Sequence, residues 1–266
     1  MKAETESIRP AVQAGRFYPA DPDQLRDEVQ ACLASARPDS GPVPKALIAP
    51  HAGYAFSGPI AGSAFASVAP ARRLIQTVVL IGPAHYVAFD GIASTAFAGF
   101  ATPLGVVPVD REVAGRLRGV GSVREFDKAH RPEHSLEVQL PFLQMVLDRF
   151  MIVPLVVGKV GDDEVRSVLD ALWDGPATLM VISSDLSHFH DYPTAQEHDA
   201  RTAVAIESLS AGTLSGEDAC GVRAIRGFLA GAKARALTAR TLDLRNSGDT
   251  AGSRDQVVGY GAFAFA

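Results

Sequence analysis

The chain of 266 residues, 47% hydrophobic and 21% charged with a formal net charge of −5, is long enough to bury a sizeable core as one large α/β domain or two smaller ones. The acidic balance and the lack of a Lys/Arg cluster argue against nucleic-acid and anionic-membrane partners, and no apolar stretch approaches the length of a membrane span. Its two cysteines, Cys32 and Cys220, make no disulfide framework and residues 1–7 carry no signal-type apolar stretch, so the expected setting is a reducing cytoplasm.

Residues 1–8 read as a tail, and 1–20 as a whole lead into a loop in which Arg16-Phe17-Tyr18-Pro19 is a local apolar anchor. Asp21 caps a helix: Pro22 suits its first position and Gln24 can reach back as in a capping box. Leu25, Val29, Cys32 and Leu33 give that helix one apolar face, to about residue 36. The stretch 37–44, rich in Pro, Gly and Ser, is a loop. Residues 45–49 form the first buried strand. Gly58-Pro59 then precedes a small-residue helix over 60–68. A second strand covers 76–81, and the alternating stretch 91–101 is a strand or hairpin. Asp110 caps a helix to about 120. Leu136, Leu140, Leu143 and Leu147 form a helical stripe, in which Pro141 either kinks the helix or sits near its start. Strand 152–157, helix 162–173 and strand 178–182 follow. Thr194 and Glu197 frame a capping box for a helix to about 209. Residues 215–220 lead into a helix over 221–230, and 237–244 and 257–265 close the chain as strands. Strands alternating with helices, without a dividing linker, predict one domain over 1–266. Its fold class is an α/β sandwich with a mixed, largely parallel central sheet flanked by helices.

Three histidines sit just past apolar runs. His51 lies in Pro50-His51-Ala52-Gly53-Tyr54, His85 in Gly82-Pro83-Ala84-His85-Tyr86, and His188 follows Ser183-Ser184-Asp185-Leu186-Ser187. Runs of this kind are strands buried on both faces, and ligands of such sheets bind beyond the carboxyl ends of the strands. Three imidazoles would meet there, at a metal or acid–base site. His51 alone reads as a strand-end histidine satisfied by a carbonyl. Its repetition of design with His85 favours function for the pair. Asp185 either orients an imidazole or caps its loop; His188 is a functional group or a solvated one. His190 reads as surface, and His130 and His198 as solvated. His134 and Glu137, in Glu133-His134-Ser135-Leu136-Glu137, would share a face if that turn is helical, with Glu137 otherwise simply favouring a helix start. Cys220, before a helix, has the position that lowers a thiol pKa, though a small buried residue is the plainer reading. Cys32 reads as core. There is no Gly-x-Ser-x-Gly elbow, phosphate-binding loop, dinucleotide glycine pattern or Cys-x-x-Cys pair.

Together with Ser57-Gly58, these blocks resemble the Memo family, whose bacterial and archaeal members are called AmmeMemoRadiSam system protein B. The resemblance runs from about residue 9 to the end of the chain. It implies a fold similar to class III extradiol ring-cleaving dioxygenases and LigB-like proteins, which hold non-haem iron(II) with two histidines and a carboxylate. It assigns metal ligation to His51, His85 and Cys220, the acid–base position to His188, and places for His134 and Asp185 in the pocket. A cysteine in place of the carboxylate leaves iron(II) as the first expectation and copper or zinc as alternatives. The functional expectation is a metal-dependent oxidoreductase. Two others compete with it: a non-catalytic module that binds a small molecule, a peptide or a radical-SAM system partner in the same crevice, and a metallohydrolase.

Overall fold

Runs of consecutive apolar residues cannot present one wet face and one dry face, and in this protein they lie at the middle of a sheet covered on both sides. The computed structural model describes residues 7–37 and 39–266. In chain order the strands are β1 (Ile8–Arg9), β2 (Ala46–Ala49), β3 (Thr77–Pro83), β4 (Ile92–Ser94), β5 (Gly99–Thr102), β6 (Gly105–Pro108), β7 (Val123–Glu125), β8 (Met151–Val157), β9 (Thr178–Ser183), β10 (His188–His190), β11 (Ala239–Asn246) and β12 (Val257–Phe265). The α-helices are α1 (Pro22–Ala34), α2 (Tyr54–Ala66), α3 (Arg111–Ala114), α4 (Asp127–His130), α5 (Leu140–Val146), α6 (Asp162–Leu172), α7 (Tyr192–Glu207) and α8 (Val222–Ala234).

The main sheet runs β10-β12-β2-β9-β3-β8-β4-β7, with β11 paired to β12. Its centre, β2-β9-β3-β8, is parallel; β12 and β4 run antiparallel to it. Alternate residues therefore enter two cores. Leu47, Val78, Leu80 and Val181 pack with α1, α2 and α5. Ile48, Val79, Ile81 and Ile182 pack with α6, α7 and α8. Helix α2 can lie against α1 because Gly58 and Gly62 face it. A Cβ on Gly62 would stand 2.3 Å from the Cys32 carbonyl oxygen.

Several local expectations change. Residues 1–6 of the expected tail lie outside the described residues, and Ile8 is already in β1, paired with Gly99 of β5. Pro59 lies inside α2, which begins at Tyr54. Pro141 is in the first turn of α5, so it marks a start and not a kink. The helix after Asp110 is cut to one turn of α-helix and one of 3-10 helix, because Gly115 and then Gly119 (φ +86°) interrupt it. Helix α7 is capped by Asp191, whose carboxylate accepts from Thr194 N–H at 2.9 Å, and not by Thr194.

The N-terminal segment is tied down by a buried ion pair. Arg9 is fully buried. Its Nη1 donates to Glu137 Oε2, its Nε to the His130 carbonyl and its Nη2 to the Glu133 carbonyl, each at 2.6 Å. Tyr18 OH at 2.5 Å and Gln13 N–H at 2.8 Å donate to Glu137 Oε1. Removing one partner strands the other charge in the core. Arg9→Met should therefore cost about 3–5 kcal/mol of unfolding free energy in urea titrations. The double variant Arg9→Met/Glu137→Leu should lose less than the sum of the two single changes. Additive losses would show that the pair does not act as a unit.

Candidate metal centre

Strands β2, β9 and β3 are neighbours and parallel, so their carboxyl ends open on one crevice. His51 follows β2, His85 follows β3, and Ser183 ends β9 between them. The 133–139 segment, held by Arg9, supplies another wall. The His51 ring centre is 5.1 Å from that of His85 and 5.3 Å from that of His134, and His85 and His134 are 4.4 Å apart. One nitrogen from each of the three rings lies within 4.8 Å of the other two, close enough to share one metal ion.

Hydrogen bonds decide which nitrogen each ring presents. The Ser183 hydroxyl has a single proton, and donates it to the Ser135 carbonyl at 2.6 Å. It can only accept from its remaining partners. These are Gln139 Nε2 at 2.8 Å and His51 Nδ1 at 2.9 Å. The Gln139 amide is oriented by the Pro50 carbonyl, to which Nε2 also donates at 2.9 Å. His51 thus carries its proton on Nδ1 and leaves Nε2 bare. Glu133 acts likewise on His85. Its Oε1 accepts from Nδ1 at 2.8 Å and its Oε2 from the His85 backbone N–H at 2.7 Å. A polar group behind one ring nitrogen is how proteins orient histidines that ligate metals. His134 is different: its buried Nδ1 makes no hydrogen bond and stands 3.4 Å from Glu133 Oε1. Its ring lies against Phe17 at 4.6 Å and Tyr86 at 5.6 Å.

Electrostatics keep the His51 and His134 rings neutral. Burial, then the neighbouring His85, lowers the His51 pKa to about 3. Burial, then His51 and His85, lowers that of His134 to about 3. For Glu133, burial pushes the pKa up. The hydrogen bonds from the His85 ring and backbone, with the Ser135 amide, outweigh it and hold the carboxyl at about 2. Asp185 is buried and its carboxyl is shifted up by dehydration.

Cys220 Sγ lies 3.2 Å from His51 Nε2, the bare nitrogen, and is not part of the three-histidine group. Its thiol is not activated by the start of α8. Burial first, and the Asp185 charge second, push it up to about 12, because dehydration of a thiolate outweighs the helix dipole. His188 donates Nδ1–H to the Leu186 carbonyl at 2.8 Å, which leaves its Nε2 bare. Asp185 does not orient that ring; its Oδ1 accepts the His51 backbone N–H at 2.7 Å. Glu137 shares no site with His134, since Arg9, Tyr18 and Gln13 engage it. His130 is buried, not solvated, with Nε2 bonded to the Ala93 carbonyl at 3.0 Å. The orienting roles of Glu133, Ser183 and Gln139 are not readable from spacing. The one available signal was polar residues at a strand end and beside a histidine.

Comparison with known proteins agrees with the residue blocks. The family model described as Memo-like protein matches residues 9–264. A MEMO1 family protein of Methanopyrus kandleri is 35% identical over 278 residues, covering 96% of this chain and 98% of that protein. Those of Methanosarcina barkeri and Aquifex aeolicus are both 34% identical, covering 96% and 95% of this chain and 98% and 97% of theirs.

The neutral histidines predict an acid-sensitive fold. His51 and His134 fall to about 3 and His130 to about 4 from an ordinary value of 6.5. Below pH 6.5 the unfolded chain takes up protons that the folded one refuses. Their contribution to stability is therefore complete above 6.5 and is lost as pH falls toward 4. Each such histidine adds about 1.4 kcal/mol per pH unit to the slope; the raised Asp185 carboxyl works in the opposite sense. Urea unfolding between pH 6.5 and 5 should show this loss, and His51→Gln should remove about one proton from it. A slope that does not change in that variant would refute the assignment.

Proposed function

We propose that this chain, which belongs to the Memo family, is a metal-dependent oxidoreductase with a non-haem metal at the strand-end crevice. The observation that carries the reading is the pair of bare Nε2 atoms on His51 and His85, each fixed from behind by Ser183 or Glu133. His51, His85 and Cys220 would hold the ion, with iron(II) first and copper or zinc as alternatives. The donor set fits: two oriented imidazoles, a sulfur 3.2 Å from one of them, and a third imidazole with an orphaned buried nitrogen. The bound metal would supply redox chemistry beside the crevice and favour the thiolate form of Cys220.

The other residues divide the remaining work. His188, held by the Leu186 carbonyl, offers Nε2 to accept a proton from a substrate. It lies near enough to His51 and Asp185 for its charge to act on both, so Asp185 would steady it once protonated. Asp185 also anchors the His51 backbone. His134, with Phe17 and Tyr86 beside it, lines the approach to the donors.

Anaerobic purification followed by elemental mass spectrometry tests this. The wild type should bind close to one metal per chain after loading, and His51→Ala and His85→Ala should not. Glu133→Gln should weaken metal affinity about 10–100-fold by freeing the His85 ring. Cys220→Ser and His134→Asn separate the third ligand: the larger loss identifies it. No metal in the wild type after exposure to iron, copper and zinc would overturn the proposal. His188→Gln should keep the metal and lose about 10²–10⁴ in turnover, read by oxygen uptake across a substrate panel.

A further inference from the structure

A cavity of about 450 Å³ opens beside the imidazole cluster, among the segment after β3, the end of β8 and the start of α8. That volume suits a small molecule. Cys220 reaches into it, with Sγ 3.2 Å from His51 Nε2. Val87, Phe89 and Val157 give it an apolar wall. Two exposed cations, Lys159 and Arg223, border it together with one carboxylate, Asp90.

Both stand at the rim of the cavity, in a chain of net charge −5. Neither side chain has a hydrogen bond or ion pair to another described residue. The other arginine of α8, Arg226, pairs with Asp162 at 2.6 Å, and Arg235 just past the helix pairs with Asp170 at 2.6 Å. The first turn of α8 adds to the positive potential, since Cys220 and Arg223 at its start line the cavity and the helix has no side-chain cap. A larger cavity of about 570 Å³ lies at the opposite ends of β3 and β8, beside Gln76 and Met151. Arg73, Arg149 and Asp148 line it too, but it holds no histidine or cysteine and lies at the far end of the strands from the imidazole cluster.

We infer that the ligand of this crevice is a small molecule with an oxyanion group, carboxylate or phosphate, on an apolar body. Lys159 and Arg223 take the anion, and the Val87–Phe89 wall takes the body. The inference rests on the crevice being the reaction site, and it names the substrate class for that site.

Charge-selective alkylation of metal-free protein tests it. Iodoacetate and iodoacetamide differ chiefly by charge. The ratio of their rates at Cys220, read by peptide mass mapping and divided by the ratio for glutathione, should exceed one by on the order of tenfold at low salt. It should fall toward one in Lys159→Gln/Arg223→Gln and in high salt, and rise in Asp90→Asn. Labelling of the buried Cys32 would report unfolding. Calorimetric titration of phenyl phosphate, benzoate and benzyl alcohol gives a readout free of the thiol. The two anions should bind at least tenfold more tightly than the alcohol, with that advantage lost in the double variant; the tighter of the two identifies the oxyanion. A normalised ratio at or below one, or equal affinity for the charged and neutral probes, would overturn the inference. Anion preference without metal uptake would sink the metal reading alone; metal uptake without anion preference would sink this one alone.

Discussion

The Ser183 hydroxyl has one proton for three neighbours, and the geometry of the crevice follows from where that proton goes. Given to the Ser135 carbonyl, it makes Ser183 an acceptor toward both Gln139 and His51. One atom thereby joins the ends of β9 and β2 to the 133–139 segment. The position is available only because β9 lies between β2 and β3. A sheet with β2 and β3 adjacent would bring the histidines together without a group between them to set a tautomer. Parallel order, and not only strand-end position, turns two histidines into two oriented donors.

The 133–139 segment must be held as firmly as the strands, and it is short of regular structure. Its stiffness comes from outside. Arg9 donates to the carbonyls of His130 and Glu133 and to the Glu137 carboxylate. A β-strand of two residues thus fixes a loop more than 120 residues away. Tyr18, from the Phe17-Tyr18 anchor, closes the same network, while Phe17 turns toward His134. The N-terminal segment is therefore a structural part of the crevice, though it supplies no candidate ligand.

This explains what was legible in the sequence. The four central strands and the three histidine-bearing strand ends announced themselves through uninterrupted apolar runs, because burial on both faces leaves no other pattern. Tight breaks also read correctly where one residue decides them, as with Pro22 and Asp110. What did not read were contacts between distant segments. The buried Arg9 looked like the edge of a tail, because a charge in a polar stretch carries no sign of the Glu137 that awaits it. Asp185 looked like a partner for His188, three residues on, and holds the His51 backbone instead. Short strands such as β1, β7 and β10 are created by their neighbours and leave no periodicity of their own.

The thiol shows how tertiary context can reverse a local rule. A cysteine before a helix should be acidic, yet Cys220 is pushed up to about 12 by burial and the Asp185 charge. A thiol held protonated, the neutral imidazoles of His51 and His134, and a buried His134 Nδ1 with no hydrogen bond are costly together: an unsatisfied buried polar atom alone costs about 1–3 kcal/mol. Two carboxyl groups stand behind these groups, Glu133 bonded to the His85 ring and Asp185 to the His51 backbone. The crevice thus sets imidazole and sulfur donors in front of two carboxyl groups, an arrangement that a positive ion at the centre would relieve. The same reasoning separates the two charges of the region. The carboxyl groups lie behind the donors, where they would favour a cation; Lys159 and Arg223 border the adjoining cavity, where they would favour an anion. A ligand spanning both would meet attraction at each end, and its orientation would be set before any chemistry began.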